Sequence, residues 1–383
     1  MTQRENDIFR IIQADPMISQ NEIADKLGIT RSAVSAYLVA MTKKGVIKGR
    51  GYILNPEGFV LVIGPGHIDI ITSCSDKGLR AGMHDSLQTT ITYGGATKNL
   101  AQYLVRLGVK VKGLFTVTSD SFGKNFLADC RKNNIECDDS LVLNDQAMPI
   151  YNEISKENGE VIASATVIDN LAEYISPNYL TSKAAVLRAA DKIVVHDSIS
   201  YAALAYISST YESSRLVYFS TYPSLTLQHT DLLRRFGTII MSYSTAYSLC
   251  FGREPIPQYK PSASEVQELC VHVRKLGLTC VVIPYSLTGS CIINDNHGMI
   301  METDYKISHS CARDSYRFYR DASMASIINS QLDLASDYDL LVHLAATKLI
   351  VSSSVRLADN NYCEALVQSV VAGSSVSTIC FEL

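Results

Sequence analysis

The chain has 383 residues, 47% of them hydrophobic and 19% charged. That is more than one typical domain, enough apolar matter for a sizeable core, and too little charge for a disordered chain. A net charge of −4 argues against nucleic acid as a partner of the chain as a whole, and no apolar run reaches the roughly 18–20 residues of a membrane span.

The charge is unevenly placed. Residues 1–55 hold eight Lys/Arg against five Asp/Glu, a net +3, which leaves 26 against 33, a net −7, for the rest. A small basic module joined to a large acidic one points to a nucleic-acid-binding part. The first thirteen residues are charged and amphipathic, with no apolar signal-peptide region, so a cytoplasmic protein is expected. The ten cysteines form no C-x-x-C pair and read as buried, reduced thiols.

In chain order, residues 4–13 place Ile8, Ile11 and Ile12 on one helical face, and Pro16 ends that helix. Ser19 and Glu22 have capping-box spacing and open a second short helix, with Ile23, Ala24 and Leu27 inward. Gly28 closes it. Thr30 caps a third helix, 31–43, whose apolar stripe is Val34, Leu38 and Met41. Residues 45–54 then alternate apolar and basic side chains about glycines, as a β-ribbon does.

Three helices followed by a basic hairpin make a winged helix-turn-helix over residues 1–55. The stretch resembles the N-terminal domain of winged-helix regulators of the Lrp and MarR type. Its third helix would lie in the major groove of duplex DNA with Arg31, Ser32, Ser35 and Tyr37 facing bases. Lys43, Lys44, Lys48 and Arg50 would meet phosphates. The alternative is a helical oligomerisation module with a solvated basic face.

From Phe59 the composition changes. Residues 59–70 read as a buried strand running into a Gly turn. Beyond it strands and helices alternate: strands at 112–117, 192–196, 216–220, 238–241 and 280–284, helices at 121–133 and 263–275. That order implies an α/β domain over 59–383, with a mainly parallel sheet and helices on both faces. Segments 73–93 and 150–166 are more polar and alternating, and suit a small β lid.

Gly94-Gly95-Ala96-Thr97-Lys98-Asn99-Leu100-Ala101, followed by Leu104-Val105-Arg106-Leu107-Gly108, resembles the G-G-x-x-x-N-x-A…L-x-R-L-G motif of the phosphofructokinase-B/ribokinase family. Asp69 falls at that family's sugar-binding carboxylate. Asp120 and Gly123 match part of its G-D-D-x-F-G element. The resemblance implies a ribokinase-like fold and a polar-ligand site at Asp69, Gly94, Gly95 and Asn99. The whole arrangement resembles bacterial fusions of a helix-turn-helix to a sugar- or pseudouridine-kinase domain. Asp69 and Asn99 can also serve the fold alone, by capping backbone N–H groups. His67, beside Asp69, reads as a solvated or capping side chain, and His196-Asp197 matches a family position near the substrate cleft.

The chain departs from the family on the nucleotide side. Residues 314–322, Asp-Ser-Tyr-Arg-Phe-Tyr-Arg-Asp-Ala, stand where the family has D-T-x-G-A-G-D-A. The glycines that let backbone N–H groups reach a phosphate are replaced by Arg317, Phe318, Tyr319 and Arg320. Asp321 falls at the catalytic-base position only with one inserted residue. Tyr243 and Ala246 stand for the Asn and Glu of the family's N-x-x-E motif. Pro284-Tyr285-Ser286 replaces its T-x-G turn, although Gly289 is kept. Ser220 ends a strand that should end in Asp.

Phosphoryl transfer needs a base, an anion hole and a held metal. The sequence therefore reads as a homodimeric DNA-binding regulator whose ribokinase-like domain senses a sugar or nucleoside, with no resident metal or cofactor. The alternative is an active sugar or nucleoside kinase that uses Mg-ATP.

Overall fold

The computed structural model describes residues 1–14, 18–47, 58–74, 88–106, 108–156, 161–167, 171–221, 223–255, 261–278, 280–285, 289–294, 297–303 and 376–382. The chain divides into two compact units, Met1–Gly58 and Phe59–Leu383.

The first unit is built on α1 (Gln3–Ala14), α2 (Gln20–Leu27) and α3 (Arg31–Lys43). The capping box is present: Glu22 N–H donates to Ser19 Oγ at 3.3 Å, and Ser19 N–H donates to Glu22 Oε2 at 2.8 Å. Gly28 ends α2 in the left-handed region at φ 62°, where a side chain is strained. Thr30 accepts the Ala33 N–H at 3.2 Å and so starts α3. Ile8, Ile12, Ile18, Ile23, Val34, Leu38, Met41 and Ile47 form the core, with Ile11 and Leu27 only partly buried at its margin. After α3, Val46 and Ile47 fold back to donate to Met41 O. The rest of the expected basic ribbon, residues 48–54, lies outside the described residues.

The second unit runs β1 (Val60–Pro65), β2 (His67–Cys74), β3 (Gln88–Gly94), α4 (Ala96–Arg106), β4 (Val111–Thr118), α5 (Ser121–Lys132), β5 (Ile135–Glu136), β6 (Leu141–Leu143), β7 (Ile150–Lys156) and β8 (Val161–Val167). It continues with α6 (Pro177–Ser182), α7 (Ala184–Ala189), β9 (Lys192–His196), α8 (Tyr201–Thr210), β10 (Leu216–Phe219), α9 (Pro223–Gln228), α10 (Thr230–Leu233) and β11 (Thr238–Ile240). Then come α11 (Tyr243–Phe251), α12 (Ala263–Lys275), β12 (Val281–Pro284), β13 (Gly289–Ile293), β14 (His297–Thr303) and β15 (Val376–Glu382).

Among the described residues one sheet has the order β15-β14-β13-β12-β11-β10-β9-β1-β4-β5, with β6 also paired to β4. From β12 to β5 the strands are parallel, and β13, β14 and β15 extend the sheet antiparallel. Alternate residues of each strand enter different cores. Leu61, Ile63, Ile193, Val195 and Tyr218 meet Leu180, Leu187, Leu204 and Leu269 on one face. Val60, Val62, Val194, Val217 and Phe219 meet Leu100, Leu104, Phe126 and Cys130 on the other. Near-continuous apolar strands with helices on both faces are what a parallel sheet requires.

A second sheet, β3-β2-β7-β8, is the expected lid. Its first strand starts earlier than expected. Residues 59–70 are not one strand with a terminal turn: they cross from the main sheet to the lid at Gly66. The Phe126 ring lies 2.9 Å from where a Cβ on Gly66 would sit, so this crossing needs glycine. The strand order reverses at β1, which has β4 on one side and β9 on the other. In open α/β sheets the crevice at the carboxyl ends of strands beside such a reversal is the usual ligand position.

Candidate functional site

Pro65, at the end of β1, accepts a 2.8 Å hydrogen bond from Thr97 Oγ1, which ties the start of α4 to the crevice. A Cβ on Gly64 would lie 2.4 Å from Thr97 Cγ2 and 3.0 Å from His196 Cβ, so three elements converge there without room to spare.

Asp69 on β2 pairs in register with Thr92 of β3 and Tyr151 of β7, and its side chain is buried. A Cβ on Gly94 would fall 1.9 Å from Asp69 Oδ2. Gly95 has φ +94°, and the His67 ring stands 3.1 Å from its absent Cβ. Glycine is thus required twice, once by a carboxylate and once by backbone conformation and a ring. Asn99 sits one turn into α4, its N–H donating to Gly95 O at 2.9 Å. The structure therefore brings Asp69, Gly94, Gly95 and His67 together, with Asn99 on the adjoining first turn.

Lys98 was not among the residues the sequence pointed to. It is buried, pairs with Asp129 at 2.5 Å and donates to Tyr93 O at 2.6 Å. This cation fixes α4 to both α5 and the end of β3. Asp120 and Gly123 have a similar structural part: Asp120 Oδ1 accepts the Gly123 N–H at 3.0 Å and the Thr118 hydroxyl at 2.6 Å, as the N-cap of α5.

Beside the crevice, Asp197 is fully buried. It accepts from Thr221 N–H at 2.7 Å and Ser220 Oγ at 3.2 Å, and His196 Nδ1 stands 3.3 Å away. His196 Nε2 lies 2.9 Å from Thr221 Oγ1. Tyr218 and His229 continue the polar layer at 3.0 Å, and burial lowers the His229 imidazole below its ordinary pKa. These bonds satisfy a carboxylate that would otherwise be costly in the interior.

The far carboxyl ends are closed by aromatic rings. Ser242 caps α11, which leaves Tyr243 at 8% and Ala246 at 0% exposure. Tyr285 is 5% exposed at the end of β12. A Cβ on Gly289 would lie 2.4 Å from its ring, so the space over this glycine is taken by the chain itself. Residues 314–322, with Asp321, lie outside the described residues.

In the first unit, Arg31, Ser32, Ala36, Val39, Thr42 and Lys43 are exposed and Ser35 is half-buried. Tyr37 is elsewhere: it is half-buried and packs against the helical core. With 3.6 residues per turn it falls on the side of α3 opposite Val39. Lys44 is held by Glu5 at 2.8 and 3.0 Å, and that ammonium keeps the Glu5 carboxyl below its ordinary pKa. Lys48 and Arg50 lie outside the described residues.

Residues 1–48 match the family described as winged helix-turn-helix DNA-binding, and residues 59–232 match the pfkB family of carbohydrate kinases. The chain carries an N-terminal winged helix-turn-helix domain followed by a pfkB-family, ribokinase-like domain.

Among curated proteins, the uncharacterized sugar kinase YeiI of Escherichia coli K12 is 28% identical over 207 residues, 54% of this chain and 57% of that protein. The pseudouridine kinase of the same organism is 27% identical over 154 residues, 40% of this chain and 49% of that protein. The chain thus spans about half the length of the curated relatives it matches. A carbohydrate kinase structure from Agrobacterium tumefaciens superposes with a TM-score of 0.66 at 17% identity, covering 84% of this chain and 100% of that one. Arabidopsis thaliana ribokinase complexed with ribose and ATP gives 0.65 at 13% identity, covering 82% and 99%. These two likenesses establish the fold.

Proposed function

We propose that this chain is a DNA-binding regulator whose pfkB-type domain binds a small sugar or nucleoside and does not transfer phosphate efficiently. One contrast carries the reading. Asp69, Gly94 and Gly95 are gathered at the crevice, while Tyr243, Ala246 and Tyr285 occupy the opposite carboxyl ends. All three of these fall beyond residue 232, where the family match stops.

Mg-ATP does not fit the described residues at those ends. Magnesium takes oxygen ligands in a strict octahedron, and Tyr243 and Ala246 offer neither a carboxylate nor an amide. In sequence, Ser286 stands where the T-x-G turn has its glycine, and the Tyr285 ring packs over Gly289. Removing one oxyanion donor typically costs about 10²–10³ in rate, and several such groups are replaced together. The names of the curated relatives favour the other reading, an active sugar or nucleoside kinase, and one assay separates the two. Full-length protein is incubated with Mg-ATP and a panel of sugars and nucleosides. Product formation and thermal shift are measured side by side. A ligand-induced rise in melting temperature without turnover is expected. Phosphorylation at ordinary kinase rates, on the order of 1–100 per second, would overturn the reading.

The proposed regulator is a cytoplasmic homodimer, because two winged helices on a palindrome roughly double the interface with DNA. The lid supports this. Its edge strands β3 and β8 carry Ile91, 56% exposed, and Ile162, 41% exposed. A dimer mass is expected in light scattering at micromolar concentration, and a strictly monomeric mass with and without DNA would contradict it.

A further inference from the structure

We infer that Val39 reads the 5-methyl group of a thymine in the major groove, and so sets part of the operator sequence. This rests on the DNA-binding reading above and names what the face of α3 recognises.

The residues of α3 fall into two arcs. Val34, Leu38 and Met41 are buried, with Tyr37 beside them. At about 100° per residue, Ser32, Val39 and Lys43 lie on the opposite side, flanked by Arg31, Ser35 and Ala36. Val39 is 54% exposed and sits near the centre of that arc. A branched apolar side chain in the middle of a helix's solvent face contributes nothing to this unit's core. It is also a weaker helix former than Ala. Its value has to come from what it meets.

The charge around it selects the occupant. Arg31 and Lys43 stand at the two ends of α3 and are exposed, and Glu5 is buried and held by Lys44. No acidic residue lies within α3. A basic frame around short side chains suits a polyanion whose surface has to approach the helix closely. Between the charges the face offers three hydroxyls, Ser32, Ser35 and Thr42, the last already donating to Leu38 O, and two apolar groups, Ala36 and Val39. Neither apolar group can donate or accept a hydrogen bond. The one apolar group a base pair presents in the major groove is the thymine 5-methyl.

The test uses the full chain and duplex DNA selected from a random pool for tightest binding. Each thymine of the selected site is replaced singly by uracil, which removes the methyl and leaves pairing intact. Wild type is expected to lose about fourfold in affinity at one thymine per half-site, the worth of one buried methyl. Val39→Ala should bind the thymine site about fourfold more weakly and be indifferent to uracil at that position. The substituted side chain is exposed and alanine favours the helix, so folding is retained; an unchanged circular dichroism melt checks this.

Uracil sensitivity that persists in Val39→Ala, or no uracil-sensitive thymine in wild type, would overturn this inference and leave DNA binding standing. Affinity unchanged in Val39→Ala together with a smaller mass in solution would also overturn it, by making Val39 a contact between copies of the chain. No selectable DNA site at all would remove the DNA-binding reading itself.

Discussion

Gly94 is the residue on which the proposed ligand site turns. Its hydrogen faces a buried carboxylate, and any Cβ would fall inside the van der Waals surface of Asp69. Gly94→Ala should displace Asp69 or split β3 from β2. A loss of about 1–3 kcal/mol in urea denaturation is expected, as for overpacking elsewhere, together with loss of any ligand-induced thermal shift. A variant as stable as wild type, with its ligand shift intact, would mean that Asp69 has no part in binding. Glu5 gives a second test at this scale, in the first unit. Lys44 lowers its folded pKa, so its contribution to stability is present above the ordinary glutamate value of about 4.3 and is lost as pH falls through the lowered folded value. Glu5→Gln should therefore be less stable than wild type at pH 7. The gap should close in acid, and a gap independent of pH would contradict this pairing.

At the scale of elements, capping and alternation were legible in the sequence, while packing across distance was not. Ser19, Glu22, Gly28 and Thr30 act locally, within one turn, and the boundaries of α2 and α3 fall where they require. Ser19→Ala should cost about 1 kcal/mol of stability in the first unit, measurable by thermal denaturation. The parallel strands were legible too, because both of their faces are apolar. The pairing of β14 with β15 was not, since β15 returns to the sheet from far along the chain and pairing between distant segments leaves little local trace. The crossing of residues 59–70 between two sheets was hidden for a different reason. Gly66 looks like an ordinary turn glycine until the Phe126 ring is seen against it. Nothing in the motif around Lys98 foretells its burial, which only Asp129 on α5 explains. The motif glycines were legible as glycines, and what each one makes room for was not: Asp69 at Gly94, the Tyr285 ring at Gly289. Tyr285→Ala should cost about 3–5 kcal/mol, as for other large buried aromatics, in a urea melt of the full chain. A negligible change would show that the ring is not packed over Gly289.

At the scale of the whole molecule, a basic helix-turn-helix unit and an acidic ribokinase-like unit share one chain. If the second unit senses a ligand for the first, binding at Asp69 and Gly94 has to change DNA affinity, and by linkage DNA has to change ligand affinity by the same factor. Couplings of this kind are typically about 1–3 kcal/mol, roughly 5–150-fold. The most direct measurement is the dissociation constant of the full chain for its selected DNA site at fixed salt. It is taken without ligand and again with a saturating amount of whichever sugar or nucleoside most raises the melting temperature. A change within that range, abolished by Gly94→Ala, is expected. The same DNA affinity in both conditions, with the ligand demonstrably bound, would contradict the sensor.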